Sequence, residues 1–536
     1  MMRHVHIRIN LLLLGGIFFP ALVGAQTVEL SEFENARRAD TRLASENPAY
    51  LQYVPVSQLS MAEVYFSKNN GEFINYHESP DSYEVGVQTE SFFRLNPKVV
   101  LHGKIHYANF NGKQMGGSVF IDPYIRSFDI QETTDATRGN KNREDYFLTG
   151  AASFRVSNRL SLGGRIDYRA ANYAKFKDLR HVNKLFDFTG IIGAMYAFGD
   201  SFEWGINYFY RRDVEDVEFK MHGTTDERYI SFIDLGAFYG SHEEFGSDGY
   251  TDPDYSSPAV GEWHGVSLQF TYKNNENRVF FNELSYRVQN GYYGKRSPST
   301  PVFLEHRAPV IAYNGSFSFH QKNNRHVFSA GIEREKLTNH ENIYRKENYE
   351  GGRREIVYLG QNPILSQSIL KSSLAYTADL NVVDFCPRWV FKAEANYFSR
   401  QQKVSIYPYY RAYDIQVFDI MASAARNIEH GQNRYGLFAG VQHAFGGNFH
   451  KEDGVYATPS DTQRPPKDND TFLSRELEYL TAARLEGNAG VSLTRAFSKN
   501  ITGYIRVDYS ITNASAVKHL GGSTRHLVTC TAGCTF

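Results

Sequence analysis

Long segments in which apolar and polar residues alternate one by one constrain this chain more than any other feature. In 160–169 the even positions are apolar or small and the odd ones mostly polar, and in 501–509 the odd positions form the apolar set. Alternation with a period of two indicates strands with one apolar and one polar face. Many of these segments exceed the five or six residues typical of strands in soluble sandwiches, and they reach the roughly 9–11 residues that a tilted strand needs to cross a bilayer.

The connections between these segments alternate between short and long along the chain. The predicted strands are 59–68, 83–95, 98–110, 146–157, 159–174, 186–198, 201–213, 262–273, 277–289, 309–321, 325–338, 369–383, 388–403, 411–425, 433–446, 480–497, 501–513 and 524–536. The long connections are 111–145, 214–261, 290–308, 339–368 and 447–479. Short turns on one side, long loops on the other and an even number of strands are typical of bacterial outer-membrane barrels.

The sequence therefore predicts an all-β fold, a transmembrane antiparallel up-and-down β-barrel of about 18 strands (range 14–18) with long extracellular loops. Both chain ends fall on the periplasmic side. Residues 228–239 also have a strand pattern, but they would break the alternation of loop lengths. We interpret them as a hairpin within a long outer loop.

The two chain ends carry signals of their own. Residues 1–25 combine a basic start, an apolar run and a small-residue site, which predicts a signal peptide cleaved before Gln26, and an N-terminal membrane anchor is the alternative. Residues 26–58 are polar without alternation and form a predicted periplasmic or luminal segment, whereas 59–536 form the barrel. The last strand ends in Phe536 and resembles the assembly signal of bacterial outer-membrane proteins, whose residues here are Val528, Cys530, Ala532, Cys534 and Phe536.

In a membrane barrel the apolar face meets lipid and the polar face meets the lumen. This rule predicts a lumen lined by charges of both signs, since Arg or Lys would cost about 2–4 kcal/mol on the lipid face. The predicted lumen-lining residues are Arg94, His102, Lys104, His106, Arg165, Asp167, Arg169, Glu283, Arg287, Lys392, Glu394, Arg434, Arg484, Glu486, Arg506 and Asp508. Such residues either accompany a polar solute through a channel or form a structural network of ion pairs.

Composition and motifs exclude several functions. With 58 Lys and Arg against 59 Asp and Glu, the net charge of -1 gives no reason to expect nucleic-acid binding, and three cysteines exclude a disulfide scaffold. His102 and His106 share a strand face but lie about 13 Å apart, too far for one metal ion, so we expect no metal and no cofactor. Ser318 and His320 are about 7 Å apart, beyond hydrogen-bond reach, and we expect no enzyme activity.

Two resemblances to known groups carry further expectations. The chain resembles the uncharacterised, Tyr-, Phe- and Asn-rich outer-membrane barrels of Bacteroidota, which implies an association with TonB-linked nutrient systems. The segment Asn47-Pro48-Ala49 resembles the Asn-Pro-Ala near the mature N-terminus of the long-chain fatty-acid channel family. This second resemblance implies a short N-terminal stretch that enters the lumen, but the polar lumen does not fit that family's substrates.

The sequence favours an integral barrel of the Gram-negative outer membrane that is a channel or uptake component for a small polar nutrient. A non-conducting accessory barrel, whose outer loops bind a ligand or a partner of a TonB-linked nutrient, iron or haem uptake system, is the alternative. An outer-membrane lipid hydrolase is the third hypothesis. The expected partners are outer-membrane lipid, the barrel-assembly machinery through the C-terminal strand, a small polar solute and a TonB-linked receptor or surface lipoprotein.

Overall fold

The computed structural model describes residues 30–222, 227–253, 256–274, 277–349, 354–383, 386–498 and 501–536, so the predicted signal peptide lies outside the described residues. The described chain contains twenty-two strands: β1 (Gln58–Gly71), β2 (Asp81–Asn96), β3 (Val99–Met115), β4 (Asp129–Glu132), β5 (Gly139–Arg155), β6 (Leu160–Lys175), β7 (Arg180–Phe198), β8 (Phe202–Lys220), β9 (Ile230–Asp234), β10 (Tyr239–Glu244), β11 (Ser257–Asn274), β12 (Arg278–Gly294), β13 (Val302–Gln321), β14 (Asn324–Asn348), β15 (Arg354–Val383), β16 (Cys386–Ile406), β17 (Tyr409–His430), β18 (Asn433–Val455), β19 (Lys467–Asp468), β20 (Arg484–Ala496), β21 (Thr502–Ala514) and β22 (Thr524–Thr535). Its α-helices are α1 (Leu30–Arg38) and α2 (Asp470–Thr481), and its 3-10 helices are Thr41–Ala44, Pro48–Tyr53, Pro123–Ile125 and Asp135–Thr137.

Eighteen of these strands form one closed antiparallel barrel, as the sequence predicts. Each barrel strand pairs with its neighbours along the chain, and β1 pairs with β22 to close the ring. The closure extends to the last residue, because the backbone N–H groups of Ser60 and Phe536 each donate to the carbonyl oxygen of the other residue. The remaining strands, β4, β9, β10 and β19, form a separate four-stranded sheet.

The outer surface of the barrel is apolar. Val64, Ile105, Ile166, Leu374 and Ile505 are each at least half exposed, and each has an inward polar neighbour on its strand. A contiguous apolar belt of this kind is rare on monomeric soluble proteins, so the chain is a transmembrane barrel whose belt contacts lipid. Among the described residues, no helix is long and apolar enough to cross a membrane.

The barrel is much taller on one side than on the other. β14 and β15 contain 25 and 30 residues, whereas β20, β21 and β22 contain 13, 13 and 12. Because a bilayer crossing needs only about 9–11 residues, β14 and β15 continue well above the membrane. Most of the predicted loop 339–368 is therefore strand. The alternation fades there because neither face of the strand meets lipid, although the hydrogen-bonded ladder continues.

Two further details differ from the predicted strands. Residues 480–481 belong to the end of α2 and not to a strand, because Leu473, Leu477 and Leu480 follow helical spacing and Leu473 and Leu477 are buried. The hairpin predicted at 228–239 is displaced along the chain. It forms as β9 and β10, outside the barrel sheet as predicted.

Two inserted parts fill the barrel from its ends. The plug is residues 30–56, and it contacts the inner ends of several barrel strands. The cap consists of β4, β9, β10, β19 and α2 with their connecting loops. Its apolar side chains pack into the outer mouth against the inner faces of β8 and β11–β17, and together they form the largest buried apolar cluster of the described chain. The cap therefore fills the outer end of the barrel interior with a folded core, and the plug fills the inner end.

Candidate functional site

The plug is seated on the inner wall by its backbone and by the amide side chains of Asn47 and Gln52. Asn47 Nδ2 donates to the carbonyl oxygens of Ala194 at 3.0 Å and Ile206 at 3.2 Å. On β6, a Cβ at Gly163 would collide with the Pro48–Ala49 backbone, so the wall must have glycine where the plug approaches most closely. The Asn-Pro-Ala segment is therefore the part of the plug that touches the wall most intimately.

A buried cluster of charges fixes the plug near the periplasmic end. Arg42 Nη1 donates to Glu203 Oε1 and Oε2 at 3.0 and 2.8 Å, and Tyr53 Oη donates to Glu203 Oε1 at 2.6 Å. Lys273 forms an ion pair with the same carboxylate. Burial would raise the pKa of Asp40, but the hydrogen bonds and charge of Arg42 hold that pKa below its ordinary value. Buried charges that are paired in this way stay ionised and bind the plug firmly.

The cap is attached to the wall by buried ion pairs as well as by its apolar core. Arg126 in the loop before β4 lies 2.6 Å from Asp213 and 3.0 Å from Glu215, both on β8. On the opposite side of the mouth, Glu476 of α2 lies 3.0 Å from Arg400 of β16, and both side chains are less than a tenth exposed. The cap is thus a fixed closure of the outer mouth in this structure.

Between the plug and the barrel wall lies a cavity of about 300 Å³ that has both apolar and charged side chains in its lining. The plug contributes Arg37 and Glu46 to its lining, and the wall contributes Lys104 and Arg165. Glu90 of β2 also lines it, accepts a hydrogen bond from His102 Nε2 at 2.8 Å and forms an ion pair with Arg37. Clefts of this volume with convergent polar groups are typical of small-ligand sites, and we therefore take this cavity as the candidate site.

The structure brings some of the predicted lumen-lining residues to the plug and leaves others apart from it. Those that contact the plug or line a cavity beside it are Arg94, His102, Lys104, Arg165, Glu283, Arg287, Arg434, Arg506 and Asp508. Those that contact neighbouring barrel residues are His106, Asp167, Arg169, Lys392, Glu394 and Glu486. Arg484 lies away from both groups, at the outer end of β20, where it donates to two carbonyl oxygens of α2.

The remaining predicted residues have these positions. Val528, Cys530, Ala532 and Phe536 are exposed and Cys534 is half-buried. Ser318 is buried near the inner end of β13, and no hydrogen bond links it to His320 in the described residues. No group of three metal-ligating side chains occurs in the described part of the chain.

Sequence reasoning missed the plug residues of the site and Glu90. Arg37, Arg42 and Glu46 lie in a segment without alternation, where no pattern indicates which side chain faces the wall. Glu90 was within reach, because it lies four residues before Arg94 on the polar face of the same strand. Its role depends on Arg37 reaching it from the plug, which no local pattern reveals.

Comparisons with protein families, curated proteins and solved structures show what this chain is similar to. The model of a family of unknown function, DUF6850, matches residues 48–536. No curated protein matches the chain.

Several solved structures share its barrel architecture at low similarity. The siderophore receptor PiuA from Acinetobacter baumannii is 8% identical with a TM-score of 0.39, over 90% of this chain and 82% of that one. The ferric preacinetobactin receptor BauA from Acinetobacter baumannii is 8% identical with a TM-score of 0.35, over 88% and 80%. A mutant of the monoaromatic hydrocarbon channel TodX is 12% identical with a TM-score of 0.30, over 91% and 92%. Likenesses this distant say nothing about what this chain binds.

Proposed function

The chain belongs to the DUF6850 family of unknown function, and we propose that it is a gated uptake barrel of the outer membrane for a small polar solute. The observation that carries this proposal is the cavity between the plug and the inner wall, on which charged groups of both converge. A barrel of 18 strands is wide enough for an aqueous channel when nothing fills it. Here the plug and the cap both fill it, so passage requires both to move.

The contacts of the plug fit a part that moves. It is attached to the wall largely by ion pairs and hydrogen bonds, including Arg37–Glu90, Arg42–Glu203 and Arg287–Glu46. Water can replace such contacts as the plug leaves, whereas a large apolar interface would stay exposed to water. The plug also packs into two small apolar clusters with the wall, one around Tyr50 and one in which Val54 meets Leu59 of β1, and these clusters hold it at rest.

Planar-bilayer recording of the purified full-length protein tests the proposal. We expect brief openings separated by long closed periods, because two closures lie in series. Replacing Arg165 and Arg506 with Gln removes positive charge from the lumen and should shift the selectivity of the openings toward cations. A barrel that stays silent at every voltage, or whose selectivity ignores these substitutions, would contradict the proposal.

The accessory-barrel alternative is favoured by a different observation, the apolar core and buried ion pairs that hold the cap. A cap that never opens is a platform for binding a partner. Glu476→Gln discriminates between the two functions, because it breaks the ion pair between α2 and Arg400. The uptake proposal expects more frequent openings, and the accessory hypothesis expects unchanged silence.

Export and assembly form part of the same proposal. We expect the protein extracted from outer membranes to have the mass of a chain that begins at Gln26. Deletion of Phe536 should lower the amount of assembled barrel, since its backbone closes the ring against Ser60. Full-length mass or unchanged assembly would contradict these two expectations separately.

A further inference from the structure

The cavity beside the plug has more cationic than anionic groups in its lining. Arg37, Lys104 and Arg165 carry permanent positive charges, and Glu46 and Glu90 are the carboxylates. A ligand can bind only those groups whose hydrogen-bond donors or acceptors have no partner within the protein.

Both carboxylates are occupied. Glu90 accepts from His102 Nε2 at 2.8 Å and is in contact with Arg37, and its side chain is only 3% exposed. Glu46 forms an ion pair with Arg287, which does not line the cavity. A cationic ligand would therefore have to displace an existing partner from either carboxylate, at the cost of leaving a charge unpaired.

Two cations have ion-pair partners, Glu90 for Lys104 and Asp167 for Arg165, but keep hydrogen-bond donors that no acceptor in the described part of the chain takes up. The Lys104 ammonium is 3.9 Å from the nearest oxygen of Glu90, beyond hydrogen-bond distance. Arg165 donates to Asp167 through Nε, which leaves its two terminal nitrogens without an acceptor among the described residues. The side chains of Lys104 and Arg165 are 36% and 39% exposed. The cavity thus offers hydrogen-bond donors of positive charge and no free acceptor of negative charge.

We propose that this cavity binds a small oxyanion, a carboxylate or a phosphate, between Lys104 and Arg165. This inference rests on the proposed uptake function and gives the solute its chemical class. An ammonium is a strong point donor, and a guanidinium presents planar paired donors that match the oxygens of carboxylates and phosphates. Thr149, which also lines the cavity, already donates to Asp167 and helps to hold that carboxylate beside Arg165.

Titration of the full-length protein in detergent tests the inference, with inorganic phosphate and succinate as oxyanion probes and glucose as a neutral probe. We expect saturable binding of at least one oxyanion and none of glucose. Lys104→Met and Arg165→Met should each weaken oxyanion binding at least about tenfold, the effect of losing one charge-assisted hydrogen bond.

Lys113→Met is the matched control. Lys113 is on the same strand as Lys104, but it is outside the cavity and paired with Asp81 at 2.7 Å. It should leave oxyanion affinity unchanged. Lys104→Arg keeps the charge and should retain most of the binding, and Arg165→Lys keeps the charge without the paired donors and should weaken binding less than Arg165→Met, which separates loss of the site from loss of the fold.

Three results would overturn the inference: no binding of either oxyanion, equal binding of glucose, or equal weakening by Lys113→Met. The outcomes also separate this inference from the proposed function. Oxyanion binding to a barrel that never opens in bilayers would support the site and contradict uptake. Openings without any oxyanion binding would support uptake and contradict the site.

Discussion

At the scale of single residues, a missing side chain decides where the plug can rest. Gly163 faces the Pro48–Ala49 backbone, which cannot move aside as a flexible side chain could, whereas its neighbour Gly164 has open space around it. Gly163→Ala should therefore unseat the plug at a cost of about 1–3 kcal/mol, the usual range for overpacking. Hydrogen exchange of residues 34–56 should become faster, and the barrel strands should keep their protection.

Gly164→Ala is the neighbouring control. It adds the same methyl group to the same strand, on the side where no atom lies within 4 Å, and should leave exchange of the plug unchanged. Equal exchange in the two variants would show that the plug does not depend on this contact.

At the scale of elements, the strands could be predicted because lipid imposes a pattern on them. A strand with one face in hydrocarbon must alternate, and all eighteen barrel strands lie where alternating segments predict them, with ends that differ by up to fifteen residues. The hydrogen-bonded ends above the membrane, as in β14 and β15, could not be predicted, because neither face of the strand meets lipid there and no continuous apolar face is imposed.

The plug and the cap lack that external constraint. Phe472, Leu473 and Leu477 have a helical spacing that could have indicated α2, but the predicted strand at 480–497 overlapped its end. The pairing of Glu90 with Arg37 joins residues more than fifty positions apart and depends on the plug lying against the wall. Of the candidate site, therefore, the wall residues could be predicted from the sequence and the plug residues could not.

The four-stranded sheet of the cap contains two buried carboxyl groups that make the stability of the cap depend on pH. Asp129 of β4 and Asp234 of β9 are direct cross-strand partners, both buried, and Gln131 Nε2 donates to each of them, at 3.2 and 3.1 Å. Burial raises the pKa of Asp129 to about 7 and that of Asp234, with a further contribution from the charge of Asp129, to about 8. Tyr76 donates to Asp129, and no ion pair with a cation forms at either carboxylate in the described residues.

We expect the cap to be most stable under acidic conditions. Both carboxyl groups have an ordinary pKa of 3.8, so the folded cap binds more protons than the unfolded cap between that value and about pH 8. Its stability therefore falls as the pH rises through about 7 to 8. Hydrogen exchange of residues 230–244, corrected for the intrinsic rate, should be faster at pH 9 than at pH 6. Asp234→Asn should reduce this difference, and identical protection of the native protein at both pH values would refute the expectation.

At the scale of the whole molecule, the barrel has two closures that lie far apart and use different contacts. The plug is held on the periplasmic side by ion pairs such as Arg42–Glu203, and the cap is held at the outer mouth by an apolar core and pairs such as Arg400–Glu476. Under the proposed uptake function, solute crosses only while both are displaced. For independent closures, the fraction of time that the pore is open is the product of the two separate fractions.

This product makes a quantitative prediction for a double variant. Gly163→Ala loosens only the plug and Glu476→Gln only the cap, and effects of distant sites without shared partners add as free energies. The fold increases in open probability should therefore multiply when Gly163→Ala and Glu476→Gln are combined, as measured in single-channel recordings. Gly164→Ala with Glu476→Gln is the control and should match Glu476→Gln alone. A single Gly163→Ala variant that is already fully open would show that the cap does not obstruct the lumen, and an increase beyond the product would show that the two closures are coupled.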